Sequence, residues 1–148
     1  MSFETEILGF ETIGECDWIQ IELEDGSVIV VKPYIAQIAR IGNDPNTGAP
    51  LYAVGTSYQL RYQIISKKHT PFPKFIRFKL DKECPWMEVR IEDGSILKVK
   101  PNIVYISRIG VDPLGTPQYM VQIQAAIQVI KIPKELIKKP IQRTSMHT

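Results

Sequence analysis

The chain is poor in the residue types that most often carry chemistry. Its 148 residues include two histidines, two cysteines and two tryptophans. A metal centre needs several ligands close together, and His69 and His147 have no such neighbours in the sequence. The sequence contains no glycine-rich phosphate loop, no His-Glu-x-x-His motif and no paired Cys-x-x-Cys. We therefore expect a protein that is not an enzyme and that holds neither a metal nor a cofactor.

Long hydrophobic runs are also missing. No apolar stretch approaches the roughly 18 residues that a membrane helix needs. The first residues, MSFETE, lack the charged-then-apolar pattern of a secretory signal, so we expect a cytoplasmic protein with no membrane partner. Hydrophobic residues make up 44% of the chain and charged residues 23%, as in ordinary globular domains. The excess of lysine over arginine favours a thermophilic source.

What the chain does contain is a repeat at an offset of 68 residues. The segment WIQIELEDGS at 18–27 returns as WMEVRIEDGS at 86–95. The Lys-Pro, Arg-Ile-Gly and Asp-Pro sequences that follow return at the same offset. This similarity indicates a tandem duplication, with a first unit at 1–67, a second at 70–140 and a frayed tail at 141–148. Units of about 68 residues are near the lower limit for an independent core, so we expect them to share buried surface.

Each unit reads as a series of β-strands. Apolar and polar residues alternate over 19–24 and 87–92, which is typical of half-buried antiparallel strands. Asp-Gly follows each run and predicts a hairpin with a type I′ turn. The segments 33–41 and 101–109 are ambiguous. Their isoleucines recur every three residues, as in a short helix, but their β-branched residues favour a bulged strand that pairs across an Asp-Pro turn closed by glycine.

The predicted fold class is therefore all-β, with each unit forming a small antiparallel barrel or sandwich. A short helical turn is expected near the C-terminus, within 133–140. Cys16 and Cys84 lie one repeat apart, each two residues before a tryptophan. A disulfide between them is an open alternative, but two buried unpaired thiols are favoured. Trp18 and Trp86 are expected to seal the contact between the two units.

The duplicated aspartates suggest one class of enzyme, the aspartic proteases. Asp25 and Asp93 recur across a pseudo-twofold relation, as the two acids of an aspartic protease dyad do. Both stand in Asp-Gly-Ser, however, at predicted hairpin tips. They are better explained as residues that form turns. Cys16 and Cys84 likewise lack a neighbouring histidine that could activate a thiol.

Charge is distributed unevenly along the chain. Residues 1–66 hold nine acids and three bases, for a net charge of −6, whereas residues 67–148 hold seven acids and fifteen bases, for a net charge of +8. Unlike halves attract, so association of copies into a homo-oligomer is one hypothesis. A basic second half also suits a polyanion.

Two functions follow from these patterns. The first is a non-catalytic interaction or scaffolding protein, whose candidate binding residues match across the two units: Lys32, Arg40, Tyr52, Lys100, Arg108 and Tyr119. The alternative is a protein that binds single-stranded nucleic acid through the basic second unit, where Phe72, Phe75 and Phe78 interleave with bases. The candidate residues for that alternative are Lys67, Lys68, Lys74, Arg77, Lys79 and Lys98.

Overall fold

A computed structural model of the chain describes residues 5–67, 71 and 73–138. These residues form ten β-strands and one 3₁₀ turn, which confirms the all-β prediction and the helical turn near the C-terminus. The predicted frayed tail at 141–148 lies outside the described residues. The strands are β1 (Glu6–Leu8), β2 (Phe10–Ile13), β3 (Ile19–Leu23), β4 (Val28–Asn43), β5 (Pro50–Ile64), β6 (Lys74–Ile76), β7 (Phe78–Leu80), β8 (Met87–Ile91), β9 (Ile96–Val111) and β10 (Pro117–Lys131), and the 3₁₀ turn is Lys134–Leu136.

Two antiparallel five-stranded sheets are built in the same way. In one sheet β4 lies beside β5 on one edge and beside β1 and β3 on the other, and β7 extends it through β3. In the other, β9 lies beside β10 on one edge and beside β6 and β8 on the other, and β2 extends it through β8. The strands β2 and β7 are therefore exchanged: each joins the sheet of the opposite half of the chain. The unit boundaries 1–67 and 70–140 stay a prediction.

The segments left ambiguous by the sequence are strands, so the helix alternative is wrong for both. Residues 33–41 lie within β4 and residues 101–109 within β9. The register of each long hairpin skips two residues there, Ala36 and Ile41 in β4 and Val104 and Ile109 in β9. Such a bulge bends a strand. Each long strand can therefore place its first part in one hydrophobic core and its later part in another.

The interior consists of two cores, and both halves of the chain contribute to each. The first core combines β3 and the start of β4 with the later part of β9 and the start of β10. The second core combines β1 and the later part of β4 with β8 and the start of β9. Isoleucine, leucine and valine side chains fill both cores. The largest fully buried ones are Ile19, Ile21, Ile29, Ile38, Leu97 and Ile106.

The two cysteines form a disulfide, so the favoured prediction of unpaired thiols was wrong. Cys16 and Cys84 are each 2% exposed, and their Cα atoms lie 5.0 Å apart. The segments before β3 and β8 approach each other in the fold, which the sequence alone could not reveal. A crosslink over 68 residues stabilises the folded state by about 4 kcal/mol in the chain-entropy account.

The Asp-Gly hairpins exist, but their turns are not of type I′. That type needs positive φ at two residues, and among the described residues only glycines have positive φ. The backbone N–H of Leu23 instead donates to Ser27 O, which leaves a three-residue loop with Gly26 in the left-handed region. The same holds around Gly94. The glycine that closes each Asp-Pro turn, Gly48 and Gly115, also has positive φ, as predicted.

The C-terminal segment packs back on the hairpin tips. The backbone N–H of Lys138 donates to Gly48 O over 2.8 Å, and a Cβ on Gly48 would stand 1.8 Å from the carbonyl oxygen of Lys138. Only glycine fits at this turn.

Among the residues that the structure describes, no helix has both the length and the apolar character needed to cross a bilayer.

Candidate functional site: two reciprocal clusters and one uncovered core

Two clusters of polar side chains join the halves of the chain. In the first cluster, Asp25 on the β3–β4 turn accepts hydrogen bonds from the Tyr119 hydroxyl and from Arg108 at 3.4 Å. The Tyr119 hydroxyl also lies 3.0 Å from Ser27 Oγ. The other carboxylate oxygen of Asp25 accepts the backbone N–H of Ser27, as expected of a turn-forming residue. One aspartate thus shapes its own turn and binds two side chains of the opposite half.

The second cluster has the same arrangement with the halves exchanged. Asp93 on the β8–β9 turn accepts hydrogen bonds from the Tyr52 hydroxyl at 2.6 Å and from Arg40 at 3.2 Å. Tyr52 also contacts Ser95 Oγ at 2.7 Å. Arg40 makes two further bonds to Glu6, each of 2.9 Å. Each arginine therefore has a carboxylate partner from the opposite half.

The clusters differ in their exposure to solvent. The side chains of Arg108 and Asp25 are 6% and 1% exposed, whereas those of Arg40 and Asp93 are 21% and 7% exposed. A charge pair in a dry site depends on its partner far more than one in contact with water. The first cluster is therefore a buried tie between the halves, and the second is partly accessible.

Tyrosines of β5 cover the first cluster. Tyr62 donates to Pro117 O at 2.7 Å, and its ring lies 6.2 Å from that of Tyr119. The backbone N–H of Val121 donates to the Tyr58 hydroxyl at 3.1 Å. Both tyrosines therefore bridge β5 to the near part of β10 and close the first core against water.

The corresponding positions of β10 carry small side chains. Ala125 and Val129 stand opposite Pro101 and Leu97 in the β9–β10 ladder, as Tyr58 and Tyr62 stand opposite Pro33 and Ile29 in the β4–β5 ladder. Neither side chain can make the bridging hydrogen bonds that a tyrosine makes. The second cluster is also the more exposed one.

The small side chains also leave part of the second core uncovered. Ile127 and Val129 face the same side of the sheet as the fully buried Val99 and Leu97, with which they pair. Ile127 is nevertheless 41% exposed and Val129 51% exposed. We call Ala125, Ile127 and Val129 the uncovered row. It is an apolar surface on the inner face of a sheet, next to a cluster of polar groups.

Burial shifts the ionisation of the cluster tyrosines. Desolvation, followed by the hydrogen bond to Asp25, raises the pKa of Tyr119 to about 12. Desolvation also raises the pKa of Tyr52. The hydrogen bonds that Arg40 donates to Glu6 raise the pKa of Arg40. Both tyrosines are thus held as neutral hydrogen-bond donors, which suits a structural tie better than a proton-transfer site.

The candidate binding residues divide into two groups. Arg40, Tyr52, Arg108 and Tyr119 belong to the clusters, so the structure brings them together in pairs. The remaining two, Lys32 and Lys100, form surface ion pairs, with Glu15 at 3.5 Å and Glu83 at 3.2 Å. Sequence comparison of the two predicted units had identified the arginines and tyrosines of the clusters. It had not identified their partners, Asp25 and Asp93, because it assigned these aspartates only a role in forming turns. It also missed the uncovered row, although the contrast between YQLRY at 58–62 and AAIQV at 125–129 carries the signal.

The five candidate nucleic-acid residues that the structure describes lie on the surface but not on one strand. Among them, Lys74 lies 3.8 Å from Glu24, and Lys79 stands directly opposite Glu22 in the β3–β7 ladder. Lys98 stands opposite Glu88 in the β8–β9 ladder. Lys67 and Arg77 are exposed, and Lys68 lies outside the described residues, as does Phe72. Phe75 is 69% exposed, and its ring packs edge-on against Tyr105 at 5.2 Å.

One of the two tryptophans does not seal a buried interface. Trp86 is 47% exposed, so the prediction was wrong for this residue. Trp18 is half-buried beneath the guanidinium of Arg61, which lies 4.7 Å from the ring centroid. Gln128 occupies the corresponding position in β10. Strand β10 thus has no cation at that position to cover Trp86.

Acids of the first half form ion pairs with bases of the second half within one chain. Asp17 pairs with Lys82 at 3.4 Å, and the Glu24–Lys74 and Asp25–Arg108 pairs also join an acid of the first half to a base of the second. The exchanged strand β2 places Glu11 opposite Arg90. The charge asymmetry of the sequence therefore has at least one intramolecular use, because the halves are interleaved.

Three surface depressions lined by described residues have volumes of about 50, 100 and 280 Å³. Among all residues that the structure describes, no group of histidine, cysteine and acidic side chains is arranged to hold a metal ion. No family model, curated protein or solved structure matches this chain.

Proposed function

We propose that the protein is a non-catalytic interaction or scaffolding module. The observation that carries this proposal is the uncovered row, because Ile127 and Val129 continue a buried apolar face yet are 41% and 51% exposed. Apolar groups that continue a core into solvent favour contact with another macromolecule. A backbone partner is also suited to this place, since β10 pairs only with β9 among the described strands.

The clusters support a structural rather than a catalytic use of the polar residues. Asp25 and Asp93 each accept hydrogen bonds from a turn amide, a tyrosine and an arginine. These bonds occupy the carboxylates in holding the halves together. The three depressions lined by described residues, of 50–280 Å³, are also smaller than the pockets that usually enclose a small-molecule substrate.

A peptide-binding measurement tests this proposal. A panel of extended decapeptides with alternating apolar residues would be titrated against the dilute protein by fluorescence anisotropy. We expect some members to bind, and the double variant Ile127→Lys/Val129→Lys to weaken their binding at least tenfold. The matched control, Met120→Lys, adds a charge at another exposed apolar position of β10 and should bind like the wild type. Equal binding by the double variant would contradict the use of this surface.

Single-stranded nucleic acid is a second candidate partner, favoured by one observation. The exposed Phe75 ring, with Tyr105 against its edge, offers a face for stacking a base, and Lys74 and Arg77 flank it in the sequence. The carboxylates of Glu22, Glu24 and Glu88 oppose this function, because they lie beside three of the six candidate bases.

The aromatic pair offers a matched test. The position of Phe75 in β6 corresponds to that of Ile7 in β1, which is 59% exposed on the acidic half. We expect Phe75→Ala to weaken binding of an oligothymidine by roughly 5- to 150-fold, the range for one stacked base, while Ile7→Ala leaves it unchanged. Binding should also fall steeply with salt. No binding by the wild type at low salt would eliminate this candidate.

A cytoplasmic location and a thermophilic source belong to the same proposal. Disulfides are rare in the cytoplasm of most organisms but common in intracellular proteins of hyperthermophiles. The Cys16–Cys84 bond is thus compatible with a cytoplasmic protein if the source is of that kind. We expect unfolding above about 90 °C in the oxidised form. A melting temperature in the mesophilic range would instead favour an oxidising compartment.

A further inference from the structure

We propose that the partner of the uncovered row is a second copy of this chain, joined through β10. In this arrangement residues 124–130 of two copies pair as antiparallel strands about a two-fold axis and merge their sheets. The inference rests on the proposed function, since it names the partner for that same surface. It differs from the charge-driven association predicted by the sequence, because it uses an uncharged strand.

The open edge of β10 determines the kind of partner. Strand β10 pairs with β9 along its whole length, and no other described strand lies beside it in the ladder. Tyr58 and Tyr62 cover its first part through Val121 and Pro117. An open edge presents alternating N–H and C=O groups that only another extended backbone satisfies in full.

The sequence of β10 favours a copy of itself. From residue 117 to residue 130 the strand has no charged residue, and proline occurs only at its first position. Natural edge strands usually carry a lysine, a proline or an inward-facing charge that prevents such pairing. The corresponding strand β5 has Arg61 and its tyrosine cover, so it is protected where β10 is not.

The nearest charges do not oppose the pairing. Lys98 and Lys100 lie on the neighbouring strand β9, opposite Gln128 and Ala126. Lys98 faces Glu88 in the ladder, and Lys100 pairs with Glu83 at 3.2 Å. Because a two-fold axis presents the same surface twice, a neutral strand suits self-pairing better than a strongly charged one. The apolar side chains of the uncovered row from both copies would then lie together on the inner face.

Sedimentation equilibrium of the full oxidised chain tests the proposal. We expect the wild-type mass to rise from monomer to dimer over the micromolar range. The double variant Ile127→Lys/Val129→Lys should remain a monomer, with its dissociation constant raised at least tenfold. Met120→Lys, on the covered part of the same strand, should dimerise like the wild type. Hydrogen exchange should show concentration-dependent protection of residues 124–130 in the wild type alone.

If the double variant fails to fold, Gln128→Lys places the charge on the opposite face of the same stretch and should likewise prevent dimerisation. A wild type that stays monomeric, or a folded lysine variant that dimerises equally well, would overturn the inference. A wild type that stays monomeric but binds peptides through residues 127 and 129 would show that the partner is not a second copy, while the proposed interaction function would stand. A monomer that binds no peptide would reject both.

Discussion

The first and second cores contain corresponding strands but are closed differently. Tyr58 and Tyr62 of β5 cover the first core and hydrogen-bond to the backbone of β10. Ala125 and Val129 of β10 stand at the corresponding positions of the second core and leave its side open. The polar cluster beside the open core is also the more exposed of the two. The contrast shows how two similar segments can acquire separate roles, one holding the fold together and the other available for contact.

The largest effect is expected from removing the aspartate of each cluster in turn. Asp25→Ala leaves Arg108 deeply buried without this carboxylate and should lower the free energy of unfolding by about 3–5 kcal/mol. Asp93→Ala should lower it by about 1–3 kcal/mol, because Arg40 keeps Glu6 and contact with water. Both variants lose the hydrogen bond from the turn amide to the aspartate. The difference between the two losses of stability therefore reports the environment of each arginine. Equal losses in urea unfolding would contradict the comparison.

Removing the tyrosine cover should make the first core resemble the second. We expect Tyr58→Ala/Tyr62→Val to lower the free energy of unfolding by about 3 kcal/mol, because two half-buried rings and their hydrogen bonds are lost. The control Tyr34→Ala removes a tyrosine that is 44% exposed and should change stability little. Urea unfolding measures both. Similar losses in the double variant and the control would show that the cover is not stabilising.

Alkaline titration should separate the two clusters. The pKa of Tyr119 is raised to about 12, so the folded protein holds this proton more tightly than the unfolded chain, in which the pKa is about 10. The stabilisation is therefore complete below pH 10 and is lost as the pH rises towards 12, by roughly 2–3 kcal/mol. Tyr119→Phe should reduce this loss more than Tyr52→Phe does. Tyrosinate absorbance and urea unfolding across this range provide the measurement, and equal slopes in the two variants would contradict it.

The smallest effect is expected from closing the second core. Ala125→Tyr/Val129→Tyr copies the cover of the first core and should raise the free energy of unfolding by about 1–2 kcal/mol through added apolar burial. It should also abolish self-association, since the new rings would fold over the uncovered row. The control Gln124→Tyr adds a ring at an exposed neighbouring position. A destabilised variant that still dimerises would contradict the proposed equivalence of the two sides.

Much of the fold could be predicted because its signals are local. Alternation over 19–24 and 87–92 predicts strands, and Asp-Gly and Asp-Pro mark the turns between them. The interpretation of 33–41 and 101–109 as bulged strands was confirmed. Their β-branched residues favour a strand, and the isoleucines spaced three residues apart, which also fit a helix, are compatible with a strand that contains a bulge. The type I′ turns were wrong because the same Asp-Gly sequence also fits a three-residue loop with one left-handed glycine.

The sites were harder to predict because they depend on distant pairings. Comparison of the units found Arg40, Tyr52, Arg108 and Tyr119, but not that each pair reaches an aspartate of the other half. The disulfide was missed for the same reason, since Cys16 and Cys84 are neighbours only after β2 and β7 exchange sheets. The burial of Ile127 and Val129 could not be judged from the sequence of β10 alone, because their exposure depends on which side chains of other strands pack against this face of β10.

The sequence by itself determined the strands, the positions of the turns between them and the correspondence between positions 68 residues apart, because backbone propensity and side-chain alternation act over a few neighbouring residues. The tertiary structure alone decided which halves meet, which cluster is dry and which apolar row is exposed. Those outcomes depend on long-range packing, where the size of a side chain such as Tyr62 or Val129 determines whether the opposite strand is reached.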